Sequence, residues 1–200
     1  MKKIIITGAS IGIGKALAEH LSSLGHPVIA VARRREPLEI LQKSYPSTMR
    51  IVVADITQPN DRLKIKETLT PQDTGNILIH NAGIAVPRLL TEISEQEWDE
   101  HYFTNTKAPL FLTKLLLPNL RDGGRILSVS SGLAHTAVPA MAAYGVSKAA
   151  LFKMKDYFNT ELKQYGIHCG SAMPGVVDTA IQTHLRSYDS KQFPSVETFH

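Results

Sequence analysis

The stretch Lys3-Ile4-Ile5-Ile6-Thr7-Gly8-Ala9-Ser10-Ile11-Gly12-Ile13-Gly14 decides how the chain is read. Its first half is a β-branched apolar run, the composition of a buried strand, and its second half is a glycine-rich turn. Lys15-Ala16-Leu17-Ala18-Glu19-His20-Leu21 follows with apolar residues at helical spacing, so the segment predicts strand, turn and helix. Glycines at 8, 12 and 14 remove side chains where backbone must turn tightly and approach a ligand. The helix N-terminus beyond them offers free amides and a positive dipole to a pyrophosphate. By itself the turn is weak evidence, because its spacing differs from the usual dinucleotide fingerprint and steric turns use glycine too.

The same alternation continues outward from it. Gly25 ends the first helix, residues 27–32 form a second apolar strand, and Arg33-Arg34-Arg35 follow at once. In a dinucleotide fold the tip of this strand meets the adenosine ribose, where an acid accepts from the 2′-hydroxyl and an arginine accommodates a 2′-phosphate. Ala32 stands in the acid's place and Arg33 can fork onto phosphate, so NADP(H) is expected over NAD(H). A surface arginine cluster ahead of a helix is the competing reading.

A helix over 37–44 leads to a strand over 49–53 that runs into Ala54-Asp55-Ile56. Asp55 can bond an adenine amino group or cap the helix starting near Pro59. The strand over 76–80 ends in Asn81-Ala82-Gly83, residues that suit backbone packed on a cofactor or a plain turn. Ser94-Glu95-Gln96-Glu97 is a capping box, and Asn105 lies within the helix it opens. A buried Asn must find partners, as a structural bridge or as part of a relay. A fifth strand over 125–130 reaches Ser131, and a sixth over 166–172 precedes Pro174-Gly175-Val176-Val177-Asp178-Thr179.

Strands alternating with helices imply an α/β fold with a parallel sheet covered on both faces. We expect a Rossmann-type doubly wound sheet with strand order 3-2-1-4-5-6, one domain over 1–200. Ligands bind such sheets beyond the carboxyl ends of the strands, and Gly8, Arg33, Asp55, Asn81, Ser131 and Gly175 all fall there.

Tyr144 and Lys148 open the helix after the fifth strand, with Leu151, Phe152, Met154, Phe158 and Leu162 at helical spacing behind them. Four residues apart, they share a helix face, about 5–6 Å between Cβ atoms. At that range an ammonium favours ionisation of a phenol, which then exchanges protons near neutral pH. A lone Tyr-x-x-x-Lys arises readily by chance; Ser131 and the glycine turn give this one its weight.

Composition narrows the alternatives. The chain has 200 residues, 43% of them apolar, which suits a single sizeable core. One cysteine, Cys169, cannot form an internal disulfide and fits a reducing cytoplasm. The opening Met1-Lys2-Lys3 meets Ile4 directly, too short a run for a signal core or a membrane span. Net charge is +4 and the densest basic run is Arg33-Arg34-Arg35, yet no aromatic residues interleave with it, so a nucleic-acid partner is not expected. Eight scattered histidines give no paired ligand spacing, hence no metal site.

With Thr7-Gly8-x-x-x-Gly12-Ile13-Gly14, Asp55, Asn81-Ala82-Gly83, Asn105, Ser131, Tyr144-x-x-x-Lys148 and Pro174-Gly175-x-x-x-Thr179 in this order, the chain resembles the short-chain dehydrogenase/reductase family along nearly its whole length. The resemblance implies Tyr144 as proton donor, Ser131 as the group orienting a substrate carbonyl, Lys148 as the residue holding the nicotinamide ribose and lowering the tyrosine pKa, and Asn105 as support for a water relay. It assigns cofactor contacts to Gly8, Ser10, Gly12, Ile13, Gly14, Arg33, Arg34, Asp55, Ile56, Asn81, Ala82, Gly83, Pro174, Val177 and Thr179, besides Tyr144 and Lys148. An NADPH-dependent reduction of a ketone or aldehyde to an alcohol follows, with a small-molecule carbonyl substrate. A non-catalytic NADP(H)-binding regulator or scaffold of the same fold is the alternative. Homodimers or homotetramers through the helices at Asn105 and Tyr144 are expected from the family.

Relatives continue past Thr179 through a substrate loop, another helix and a seventh strand, whereas 21 residues remain here. Residues 185–200 resemble part of that loop, so either the chain is a fragment, the favoured reading, or it lacks the element that covers the substrate; without a seventh strand the sixth would be an exposed edge. Leu133, His135, Val138, Met141 and Val176 are the expected pocket walls. Thr179-Ala180-Ile181-Gln182 and Leu185-Arg186 faintly resemble sepiapterin- and benzil-type reductases.

Overall fold

The computed structural model describes residues 1–175 and 177–199. Its strands are β1 (Ile4–Thr7), β2 (Val28–Ala32), β3 (Met49–Val53), β4 (Ile77–His80), β5 (Arg125–Val129) and β6 (His168–Ala172). They form one sheet in the order β3-β2-β1-β4-β5-β6, every pairing parallel, as expected. The helices between them are α1 (Gly12–Ser23), α2 (Arg35–Ser44), α3 (Pro59–Lys66), α4 (Glu95–Tyr102), α5 (Ala108–Leu120), α6 (Ala142–Leu162) and α7 (Ala180–Arg186).

Continuous β-branched runs form the central strands because both faces of the sheet are covered. All residues of β1 and β2 are buried. Ile5, Ile29, Leu78 and Ile126 point to one face, where Ile65 of α3, Leu112 and Leu116 of α5 and Phe158 and Leu162 of α6 close over them. Their neighbours Ile4, Ile6, Val28 and Ile79 point to the other, against Ala18 of α1 and Leu38 and Leu41 of α2. Each fully buried Ile or Leu contributes about 1.5–3 kcal/mol to this arrangement.

Three features depart from expectation. The helix opened by the Ser94–Glu97 capping box is not uniform: Phe103–Lys107 form a π-helical turn between α4 and α5. Such turns are frequent at functional sites. β6 is an edge among the described residues, but Asn159 of α6 blunts it by accepting from the Cys169 N–H at 2.8 Å and donating to its carbonyl at 2.9 Å. Nor is a covering element absent: Leu185, Phe193 and Val196 bury themselves with Ala85, Ala140 and Met141 beside the Tyr144 helix. Apolar side chains at 185, 193 and 196 are what fold that segment back.

Candidate functional site

The carboxyl ends of the strands surround a cavity of about 330 Å³, within the size range of small-molecule sites. Gly8, Ser10, Gly12 and Ile13 line it from the turn after β1, Arg33 and Arg34 from the tip of β2, and Asp55 and Ile56 from beyond β3. Asn81, Ala82 and Gly83 follow β4, Ser131 follows β5, and Pro174, Val177 and Thr179 follow β6. Tyr144 and Lys148 face the same space from α6.

Two expected residues lie outside the lining. Gly14 is a packing position, where a Cβ would collide with Asn81 Nδ2 and the Gly8 carbonyl. Asn105 is fully buried, and its amide is used up: Oδ1 accepts from the Ile84 N–H at 2.9 Å, and Nδ2 donates to the Ile84 carbonyl and Ser147 Oγ, each at 2.9 Å. Its side chain is a bridge that fixes the segment after β4, with both amide hydrogens engaged.

The glycine turn is tightly made. Gly8 has φ +70°, and a Cβ there would sit 2.8 Å from Ala82 Cα, so the position needs glycine on two counts. Asn81 donates from Nδ2 to the carbonyls of Thr7 (3.0 Å) and Gly8 (3.2 Å), tying β4 to the turn. Thr7 Oγ1 in return accepts from the N–H groups of Asn81 and Ala82, both at 3.1 Å. Ile11 precedes α1 with no side-chain cap, so the first amides of α1 face the cavity uncapped. That is the donor set an anion needs, and it fits the diphosphate of a nicotinamide dinucleotide.

At the β2 tip, Arg34 donates to Ser10 Oγ at 3.0 Å, while Arg33 is mostly exposed and 3.9 Å from Asp55. Asp55 does not cap α3. Its carboxylate accepts from the N–H and hydroxyl of Thr57 at 2.9 and 2.8 Å, Gln58 precedes the helix, and Asp61 from the first turn of α3 reaches back to the Asp55 N–H.

Tyr144, Ser131 and Lys148 converge at the other end. Lys148 is 4% exposed, donates to the Val129 carbonyl at 2.8 Å and lies 5.8 Å from the Tyr144 ring centre. It forms no ion pair among the described residues, and burial pushes its ammonium down to about 8. Ser131 Oγ accepts from the Leu133 N–H at 3.2 Å, which leaves its own hydrogen free to donate. For Tyr144 the expected lowering does not occur: burial raises the phenol above its usual 10, and the neighbouring Ser131 hydroxyl draws it only part of the way back. Desolvation wins because the ammonium points at Val129 rather than at the phenolic oxygen. The backbone before this helix is strained, with Ala140 at φ +63°.

The anticipated pocket walls sit beside the cavity. Leu133, Val138 and Met141 pack in the cluster with Phe193, His135 is exposed and edge-on to Phe152, and Val176 lies outside the described residues. The sequence reading missed Thr104 and Ile84, which line the cavity, and Gln182, which it quoted only within a subfamily pattern. Their positions depend on contacts distant in sequence, and no local motif marks them. Among the described residues no cluster of His, Cys, Asp or Glu could hold a metal ion, and no helix is long and apolar enough to cross a membrane.

Known proteins share this architecture. The family model for short chain dehydrogenases matches residues 2–190. A human protein named inactive hydroxysteroid dehydrogenase-like protein 1 is 32% identical over 186 residues, 88% of this chain and 56% of its own length. The chain thus spans little more than half of that relative. Among solved structures, a short chain dehydrogenase/reductase from Saccharomyces cerevisiae superposes with a TM-score of 0.92 at 29% identity, covering 100% of this chain and 81% of its own. The KRED1-Pglu enzyme does so with a TM-score of 0.93 at 30% identity, covering 100% and 85%.

Proposed function

The chain belongs to the short-chain dehydrogenase/reductase family, and on that premise we propose that it is an NADPH-dependent oxidoreductase that reduces a ketone or aldehyde to an alcohol. One observation carries the reading: Tyr144, Ser131 and Lys148 open onto the same cavity as an uncapped helix N-terminus and two arginines. Bound NADPH would supply the hydride.

The residues divide the remaining work. The amides at the start of α1 hold the diphosphate, and Arg33 and Arg34 hold the 2′-phosphate, a strand tip with Ala32 in place of an acid leaving them unopposed there except for Asp55. The Ser131 hydroxyl donates to the substrate oxygen and stabilises negative charge developing on it. Tyr144 gives that oxygen its proton, and its raised pKa keeps the phenol protonated at neutral pH, the state a donor requires. Lys148, on the next turn of α6, holds the nicotinamide ribose.

A non-catalytic reading is favoured by one finding, the 32% identity to a relative whose name calls it inactive. Oxidation of NADPH by the purified protein with a panel of diketones and pterins separates the two. Turnover is expected. Tight NADPH binding with no turnover on any carbonyl would overturn the reductase in favour of a sensor or scaffold.

A further inference from the structure

Three side chains spaced four residues apart hold three alternate residues of the segment after β4. Glu97 pairs with Arg88, its Oε1 2.8 Å from Nε and 2.7 Å from Nη2. His101 accepts from the Val86 N–H at 3.1 Å, and Asn105 takes both backbone groups of Ile84. Four residues of helix advance about 6 Å and two residues of extended chain about 6.6 Å, so helix and segment keep register, in opposite directions, over three rungs.

His101 is the middle rung, and its chemistry is fixed. An N–H can only donate, so Nε2 accepts from Val86 and the ring hydrogen sits on Nδ1, which donates to the Glu97 carbonyl at 2.7 Å. The ring is 2% exposed. An aliphatic side chain would fill a buried place on a helix without desolvating an imidazole, so packing alone does not call for this residue.

What the segment holds in turn lies at the catalytic end. The Arg88 N–H donates to the Ala140 carbonyl at 2.7 Å, and Ala85 shares a buried cluster with Ala140 and Met141. Ala140 is the residue at φ +63°, a conformation that persists only where its surroundings over-determine it. Met141 follows it and precedes α6 with no side-chain cap, and Tyr144 stands in the first turn of that helix.

Resting on the reductase reading of Tyr144, we propose that His101 is a positioning residue. Through Val86 and Arg88 it holds the Ala140 carbonyl, and with it the start of α6, so that the Tyr144 phenol keeps its place beside the substrate oxygen. Small displacements of a reacting group slow the chemical step. Losing this rung therefore lowers kcat rather than NADPH affinity, because the cavity wall at Ile84 is still held by Asn105.

The test compares the wild type with His101→Gln, His101→Asn and His101→Leu. A glutamine places an acceptor about as far along the side chain as Nε2 and keeps the Val86 bond; asparagine reaches only as far as Nδ1, and leucine has no polar atom. Amide exchange, read residue by residue by NMR, reports the chain of bonds directly: Val86, Arg88, and Gly145, whose N–H donates to the Met141 carbonyl at 2.8 Å. All three should exchange about tenfold faster or more in His101→Asn and His101→Leu and stay near the wild type in His101→Gln. With NADPH and 1-phenyl-1,2-propanedione, kcat should fall by about tenfold or more in His101→Asn and His101→Leu and stay within about threefold in His101→Gln, with NADPH affinity within about threefold throughout. Faster exchange confined to Val86, a His101→Gln protein as impaired as His101→Leu, or a loss seen in NADPH affinity with kcat unchanged would each overturn the assignment. Should His101→Leu fail to fold, His101→Asn against His101→Gln makes the same comparison. If the wild type reduces no ketone, that failure belongs to the reductase reading, and exchange at Arg88 and Gly145 upholds or overturns the grip on α6 without it.

Discussion

At the scale of single residues, protonation decides what the site can do. Tyr144 is held protonated by its burial, the state the proposed reduction requires, and Tyr144→Phe removes the phenol that α6 presents to the cavity. Turnover should fall by about 10²–10⁴ with NADPH affinity unchanged, as steady-state rates and fluorescence titration will show. Arg33→Ala and Arg34→Ala probe the other end. Each should weaken NADPH by about tenfold or more and leave NADH within about threefold, because a guanidinium lost from a phosphate affects only the phosphorylated dinucleotide; equal losses for both cofactors would reject the phosphate role. These residues were legible in the sequence because each follows a strand or opens a helix within a short, ordered motif. Thr7 and Gln182 were not. The hydroxyl of Thr7 reaches N–H groups of Asn81 and Ala82, 74 and 75 residues away, and no local pattern announces such a bond.

At the scale of elements, the segment after β4 shows how a cavity wall is held without a strand partner. Asn105, in the π-helical turn, takes both backbone groups of Ile84, and His101 of α4 accepts from the Val86 N–H at 3.1 Å while its other ring nitrogen meets the Glu97 carbonyl. Polar side chains of a helix thus replace a sheet ladder. The sequence showed a polar residue inside an apolar helix and left its purpose open, because helical periodicity says which face Asn105 occupies but not what packs on it. Asn105→Ala should destabilise the protein by about 1–3 kcal/mol in urea unfolding, two half-buried backbone groups of Ile84 losing their partners, and should weaken NADPH as Gly83 and Ile84 loosen. A variant of native stability and affinity with slow turnover would instead restore the relay.

At the scale of the molecule, the fold buries two basic groups that act in the same direction in separate pH windows. His80, at the end of β4, bonds Thr113 at 2.8 Å through one nitrogen, and burial lowers its pKa from 6.5 to about 3. The unfolded chain binds a proton below 6.5 that the native state refuses until about 3. Stability is therefore complete above 6.5 and falls as the pH drops through that window, by about 1.4 kcal/mol per unit. Lys148 acts at the alkaline side: its pKa falls from 10.5 to about 8, so between those values the unfolded state again holds the extra proton and stability rises with pH. Below 8 the site carries a buried ammonium that, among the described residues, bonds to the Val129 carbonyl alone, a stability cost of about 3 kcal/mol that the proposed ribose contact explains. Lys148→Met should consequently be inactive yet more stable than the wild type at pH 7, less the loss of that one hydrogen bond, and its advantage should shrink as the pH is raised from 8 towards 10.5. Urea unfolding of both proteins at pH 7, 9 and 10 measures the difference directly. A gap that stays constant with pH would mean that Lys148 is not held against its own charge, and that its burial in this fold needs no functional reason.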